Sequence, residues 1–151
     1  MENYEVLGLD IGGTFIRAGL VDERFGLRGF EMDSSMRLFN GRAGRIDALE
    51  AYVREYCAHH CGGSLPRAVS IGFPSPLNKE KTVVFSTPNL PGFDNLHVVE
   101  DLGTRLGIPV YINRDVNLRM ISDIHAHGLE GADIVIGCYI GTGLGNAICI
   151  G

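Results

Sequence analysis

Two short glycine-rich turns constrain this chain more than any other feature. Asp10-Ile11-Gly12-Gly13-Thr14 closes the apolar run YEVLGLD, and Gly141-Thr142-Gly143-Leu144-Gly145 follows the apolar run IVIGCYI. Glycine accepts φ > 0 and allows close backbone approach. Such turns let N–H groups converge on an anion, and a Thr hydroxyl adds a further donor suited to phosphate oxygens. The same residues also suit a pair of tight hairpin turns. Neither turn is a P-loop, since no GK[ST] occurs in the chain, and GTGLGN lacks the GxGxxG spacing of dinucleotide folds. A strand, not a helix, follows each turn, so a bound phosphate would be held between two hairpins that face each other.

The pattern around these turns alternates strands and helices. YEVLGLD, FIRAGLVD and a weaker GLRGFEM read as a three-stranded meander over the first forty residues. Ile46, Leu49, Tyr52, Val53 and Tyr56 recur at three- and four-residue steps, which predicts an amphipathic helix from Arg45 to Cys61, closed by Gly62–Gly63. AVSIGF at 68–73 reads as a buried strand that Pro74-Ser75-Pro76 must end. A short hairpin and irregular loop span Leu77 to Phe93, and Asp94 or Asn95 can cap a helix to about Leu106 that Gly107-Ile108-Pro109 stops. The strand VYIN at 110–113 runs straight into a helix opened by Asp115, with Val116, Met120, Ile121 and Ile124 as its apolar stripe. A strand meander followed by strand–helix alternation predicts an α/β sheet of mixed direction. Two more apolar strands follow with nothing evident to bury against: they pack on the domain's edge, pair with another copy, or belong to a second lobe.

Composition narrows the function. The chain has 151 residues and a formal net charge of −5, and of its 13 basic residues only Lys79 and Lys81 are lysines, without a basic run. Nucleic-acid binding is disfavoured. Cys57, Cys61, Cys138 and Cys149 form no CxxC pair, and an acid stands where a signal peptide would be basic, which suits a reduced, cytoplasmic protein. Ile134–Gly151 carries no charge, but its glycines, Thr142 and Asn146 argue for two β runs, IVIGCYI and AICI, and against a membrane helix. Their exposed apolar surface points to a homo-oligomer. Cys57-Ala-His-His-Cys61 could supply part of a metal site, or be a helix end with two small buried thiols.

Two carboxylates stand at strand ends, where open α/β sheets place ligands. Asp10 either accepts hydrogen bonds from its own turn or faces Mg²⁺ beside phosphate. Asp115 suits a helix N-cap, a general base, or both.

Taken in order, DIGGTFIRAGLVD, IGFPSP, STPNLPGF, NRDVN and YIGTGLGNA resemble the ROK family of sugar kinases over nearly the whole chain. The resemblance implies the first lobe of an actin-like ATPase (ribonuclease H-like) fold with a mixed five-stranded sheet over residues 1–130, and at 131–151 the opening hairpin of a second lobe that the chain does not contain. It implies ATP-dependent phosphorylation of a hexose hydroxyl with Mg²⁺. Asp10, Gly12, Gly13 and Thr14 match the first phosphate motif, with Asp10 on Mg²⁺ through water. Gly141, Thr142, Gly143 and Gly145 match the second. Asp115 matches the catalytic base, and Ser75, Thr87, Asn89 and Arg114 fall in the sugar-contacting loops. The family's zinc cluster and adenosine pocket fall beyond residue 151, so the fragment by itself is expected to be inactive.

The wording STPNLP and RDVN sits nearest to allose-phosphorylating members, within an allose, glucose and N-acetylmannosamine class. Arg114–Asp115 departs from the family's Asn-Asp, and the charge could hold Asp115 ionised or meet a hydroxyl. The rival reading is the sugar-sensing domain of a ROK repressor. The first strand begins by Tyr4, which leaves no room ahead of it for a DNA-binding module.

Overall fold

A computed structural model describes residues 5–39, 44–87, 90, 92–140 and 144–151. Its frame is a sheet of β1 (Val6–Ile11), β2 (Phe15–Val21), β3 (Leu27–Ser34), β4 (Ala68–Phe73) and β5 (Val110–Arg114), in the order β3-β2-β1-β4-β5. The meander pairs antiparallel and β4 and β5 join parallel, so the sheet is mixed, as the alternation predicts.

Side chains alternate between the faces of a sheet, and here the two faces have different duties. Leu7, Leu9 and Ile11 of β1, Val69, Ile71 and Phe73 of β4, and Val110 and Ile112 of β5 point to one side and are buried. Their core is shared with α2 (Arg45–His60) and α3 (Val98–Leu106). All five residues of the α2 stripe read from the sequence are buried. The register aligns Arg17, Asp10, Gly72 and Asn113 in one row across the opposite face.

The opposite face is covered near the strands' carboxyl ends by α4 (Asp115–Ala126). Beyond α4 lies a separate antiparallel hairpin, β6 (Ile134–Ile140) and β7 (Leu144–Ile150). Helix α4 is therefore sandwiched. Val116, Met120 and Ile124 pack on the inner side of the hairpin, against Tyr139, Ala147 and Cys149, while Asp115, Leu118, Arg119 and Ser122 form the wall facing the sheet. The outer side of the hairpin carries Ile134, Ile136, Ile140, Leu144, Ile148 and Ile150, all exposed. Among the described residues no helix is long and apolar enough to cross a membrane.

Four expectations are corrected. Helix α3 begins at Val98, not at Asp94 or Asn95: Leu96 still bridges Val84, and the Asp94 carboxylate accepts the Thr87 N–H at 3.3 Å. Ile121 is 56% exposed and leaves the α4 stripe, because the hairpin covers only the side of Val116 and Met120. A short α1 (Ser35–Phe39) stands between β3 and α2 where none is predicted, and β7 begins three residues before AICI.

Candidate active site

The two candidate carboxylates meet across a glycine. Asp10, the penultimate residue of β1, pairs beside Gly72 of β4, and α4 opens with Asp115 one residue past β5. A methyl group placed on Gly72 would lie 3.8 Å from Asp10 Oδ1, 3.6 Å from Asp115 Cα and 3.2 Å from Leu118 Cδ1. Any side chain at position 72 would stand between the acids. Its absence leaves a cleft of about 260 Å³ lined by Asp10, Gly72, Asp115, Leu118, Arg119 and Ser122. The α4 residues recur at three- and four-residue steps and so share one helix face.

The charges are balanced. Arg17 donates to Asp10 Oδ2 at 2.9 Å, and Arg119 approaches the same oxygen to 4.0 Å. Asp115 Oδ1 accepts the N–H of Val116 at 2.7 Å. It is the first helical residue, and Arg114 occupies the N-cap position without a side-chain cap bond. Arg114 is exposed and forms no ion pair with Asp115; the two cations at the cleft, Arg17 and Arg119, both face Asp10.

The first glycine turn is held from behind. Gly12 N–H donates to Phe15 O at 2.8 Å, the buried Ser35 hydroxyl donates to Gly12 O at 2.6 Å, and Ser35 N–H donates to Thr14 O at 3.0 Å. Carbonyls of the turn are thus tied to α1, while Gly13 and Thr14 are exposed at its tip. Ser35→Ala strands the Gly12 carbonyl in the interior and is expected to cost ~1–3 kcal/mol, read as a lower thermal midpoint; an unchanged midpoint would show that Ser35 does not brace the turn.

Ser75 and Thr87 are each 3% exposed, and neither hydroxyl has a hydrogen-bond partner among the described residues. Phe85 N–H donates to Pro76 O at 3.1 Å, which lays the two segments side by side just past the end of β4. Buried hydroxyls are normally paired, so each of these two is open to a further hydrogen bond. Asn89, Gly141, Thr142 and Gly143 lie outside the described residues. Gly145 is placed against the start of α4, where a methyl group on it would meet Val116 Cγ1 at 2.5 Å.

Elsewhere, burial pushes the Cys57 thiol up to about 12, with Cys61 adding to the shift. Among the described residues no group of three or more His, Cys, Asp and Glu is arranged to hold a metal. A larger cleft of about 540 Å³ between β3, α1 and α2 is walled by groups that bind one another, such as Tyr52 to Glu31 and Arg37 to Asp33.

Comparison with protein-family models matches residues 6–151 to the ROK family. The chain belongs to the ROK family. The ROK chain is 26% identical over 148 residues to a glucokinase of Thermotoga maritima, covering 98% of this chain and 45% of the relative. It is 30% identical over 142 residues to an N-acetyl-D-glucosamine kinase of Histophilus somni, covering 93% and 44%. Among solved structures, the ROK family glucokinase of Streptomyces griseus in complex with glucose and AMPPNP superposes with a TM-score of 0.77 at 26% identity, over 97% of this chain and 45% of that one. A ROK family transcriptional regulator superposes at 0.81 with 15% identity, over 99% and 37%, a likeness of fold. The chain spans about half the length of the curated relatives it matches.

Sequence reasoning misses Arg17, Ser35, Gly72 and Arg119. Signals existed for two of them: a tight turn at Gly12–Gly13–Thr14 sets Arg17 opposite Asp10, and Arg119 stands one helical turn after Asp115.

Proposed function

We propose that this chain is the first lobe of an ATP-dependent hexose kinase, with β6–β7 opening a second lobe whose remaining chain would cover the hairpin's outer face. The observation that carries the reading is the cleft at Gly72, which puts Asp10 and Asp115 on either side of one small space.

In this reading the sugar lies along the Ser75–Thr87 segment, whose hydroxyls can each donate to and accept from it. The matched motifs add Arg114 and Asn89 to the sugar contacts. Asp115 holds the acceptor hydroxyl and takes its proton. The hydroxyl oxygen forms the new bond to the γ-phosphorus, the bond from phosphorus to the β–γ bridging oxygen breaks, and that electron pair leaves on ADP. Gly12, Gly13 and Thr14 bind phosphate through the first glycine turn, and the matched second motif assigns Gly141, Thr142, Gly143 and Gly145 to phosphate as well. Asp10 offers a hard carboxylate oxygen at the cleft, which fits Mg²⁺ directly or through water. The bound ion would neutralise phosphate charge.

The relatives named above favour glucose or N-acetylglucosamine as acceptor, and the STPNLP and RDVN wording favours allose. Incubating the intact protein with Mg·ATP and glucose, N-acetylglucosamine, N-acetylmannosamine or allose, and following ADP release, tests the reading. Turnover with at least one hexose is expected, and none with any of them would sink it. Retention of DNA at physiological salt by a protein without turnover would support the sugar-sensing regulator instead.

The 151 residues alone are expected to turn over little or no sugar and to self-associate through the exposed isoleucines of β6 and β7. Ile136 and Ile148 are cross-strand partners, 70% and 61% exposed. Ile136→Lys with Ile148→Lys should therefore shift the chain to monomer in sedimentation velocity; an unaltered distribution would exclude this face as the contact.

A further inference from the structure

We infer that Arg119 is a phosphate-contacting residue of this site, which grips the terminal phosphoryl group of the nucleotide and not its diphosphate part. The inference rests on the kinase reading and adds to it a residue that no matched motif assigns.

Four charged side chains border the cleft: Asp10 and Asp115 as anions, Arg17 and Arg119 as cations. Arg17 is already committed. It stands opposite Asp10 in the hairpin register and donates to Oδ2 at 2.9 Å. Arg119 reaches that oxygen only to 4.0 Å, beyond hydrogen-bond distance, and its side chain is 55% exposed. The phenol of Tyr139 on β6 donates to Asp123 at 2.9 Å and so is already engaged. The guanidinium therefore stands in the cleft without a hydrogen bond among the described residues, and its planar fork matches phosphate oxygens.

Placement relative to the base fixes which phosphate it would meet. Arg119 is four residues after Asp115 on one helix face, so the two side chains start ~5–6 Å apart. A hydroxyl held by Asp115 lies ~2.6–3.2 Å from the carboxylate, and the phosphorus it attacks ~3–3.5 Å further on. Only the terminal phosphoryl group comes within the arc that Arg119 sweeps from the same wall. Electrostatics point the same way. Asp10 and Asp115 repel an incoming phosphoryl group; Arg17 is bound to Asp10, and Arg119 is the cation that lines the cleft with both carboxylates.

The discriminating measurement is binding, in the intact protein, of AMPPNP, which carries a γ-phosphate, against ADP, which does not, both with Mg²⁺. Arg119→Ala is expected to weaken AMPPNP by about tenfold or more while ADP affinity and the thermal midpoint stay as in the wild type. Arg119→Lys should recover part of the AMPPNP affinity, since it restores charge without the fork. In turnover, kcat of Arg119→Ala should fall by a factor on the order of 10² with the sugar KM little altered. Equal weakening of both nucleotides, or of neither, overturns the inference while the kinase reading stands. A wild-type protein that binds no AMPPNP and phosphorylates no hexose overturns both.

Discussion

On the proposed kinase reading, Asp115→Asn in the intact protein is expected to lower kcat by about 10²–10⁴-fold, with the KM values for sugar and ATP changed only a few-fold. The size follows from the role. A positioned base removes the hydroxyl proton as the bond to phosphorus forms, and an amide of the same shape cannot take it. Misfolding would not mimic the result. Asp115 sits at the first helical position of α4 and its Oδ1 accepts the Val116 N–H, a bond that the Asn carbonyl oxygen can also accept. What is lost structurally is the favourable interaction of a charge with the helix N-terminus, ~0.3–1 kcal/mol at an exposed site. A kcat within about threefold of wild type would exclude Asp115 as the base. A fall in kcat matched by an equal rise in sugar KM would instead make it a binding residue.

The arrangement on which the proposed role of Asp115 rests is only half legible from residue order. Local pattern marks β1, β4, β5 and α2, because burial imposes period 2 on strands and three- and four-residue steps on helices. It places Asp10 and Asp115 at strand ends. It does not say that those ends adjoin, since the row Arg17–Asp10–Gly72–Asn113 exists only through pairings between strands distant in sequence. A slip of one residue in β4 would turn Gly72 into the core and set Ile71 or Phe73 between the acids. Gly72 is thus a site residue by virtue of register, and a scan for glycine turns passes over it.

The misplaced start of α3 has a related cause. Asp94 has the side chain of an N-cap, but it is spent on the Thr87 N–H, and Asn95 takes a left-handed φ of 55°. Tertiary contacts outbid a local preference of ~1 kcal/mol. Helix α1 escapes because five residues span too little for a period to show. Yet it brings Ser35 under the first glycine turn and Phe39 into the aromatic cluster beside the loop that carries Thr87.

That cluster sets the second large expectation. Phe93 is fully buried, with its ring edge-on to Phe39 at 5.0 Å and to Phe73 at 5.5 Å, and the Arg45 guanidinium lies 6.0 Å from its centroid. Phe93→Ala should cost ~3–5 kcal/mol, the transfer free energy plus the cavity left where the ring stood. Phe93→Leu, which keeps most of the volume, should cost about 1.5 kcal/mol or less. The thermal midpoint is expected to drop by roughly 2–4 °C per kcal/mol for a chain of this length. The ring also does something that its burial alone does not convey: it pins the loop carrying Thr87 to Phe73, two residues before Ser75, and to α1 behind the first glycine turn. If loop and strand hold the sugar together, loosening that pin raises the sugar KM more than it lowers kcat, at temperatures where the variant remains folded. If stability drops while the sugar KM stays fixed, the ring fills space only, and the buried hydroxyls of Ser75 and Thr87 bind something other than the acceptor.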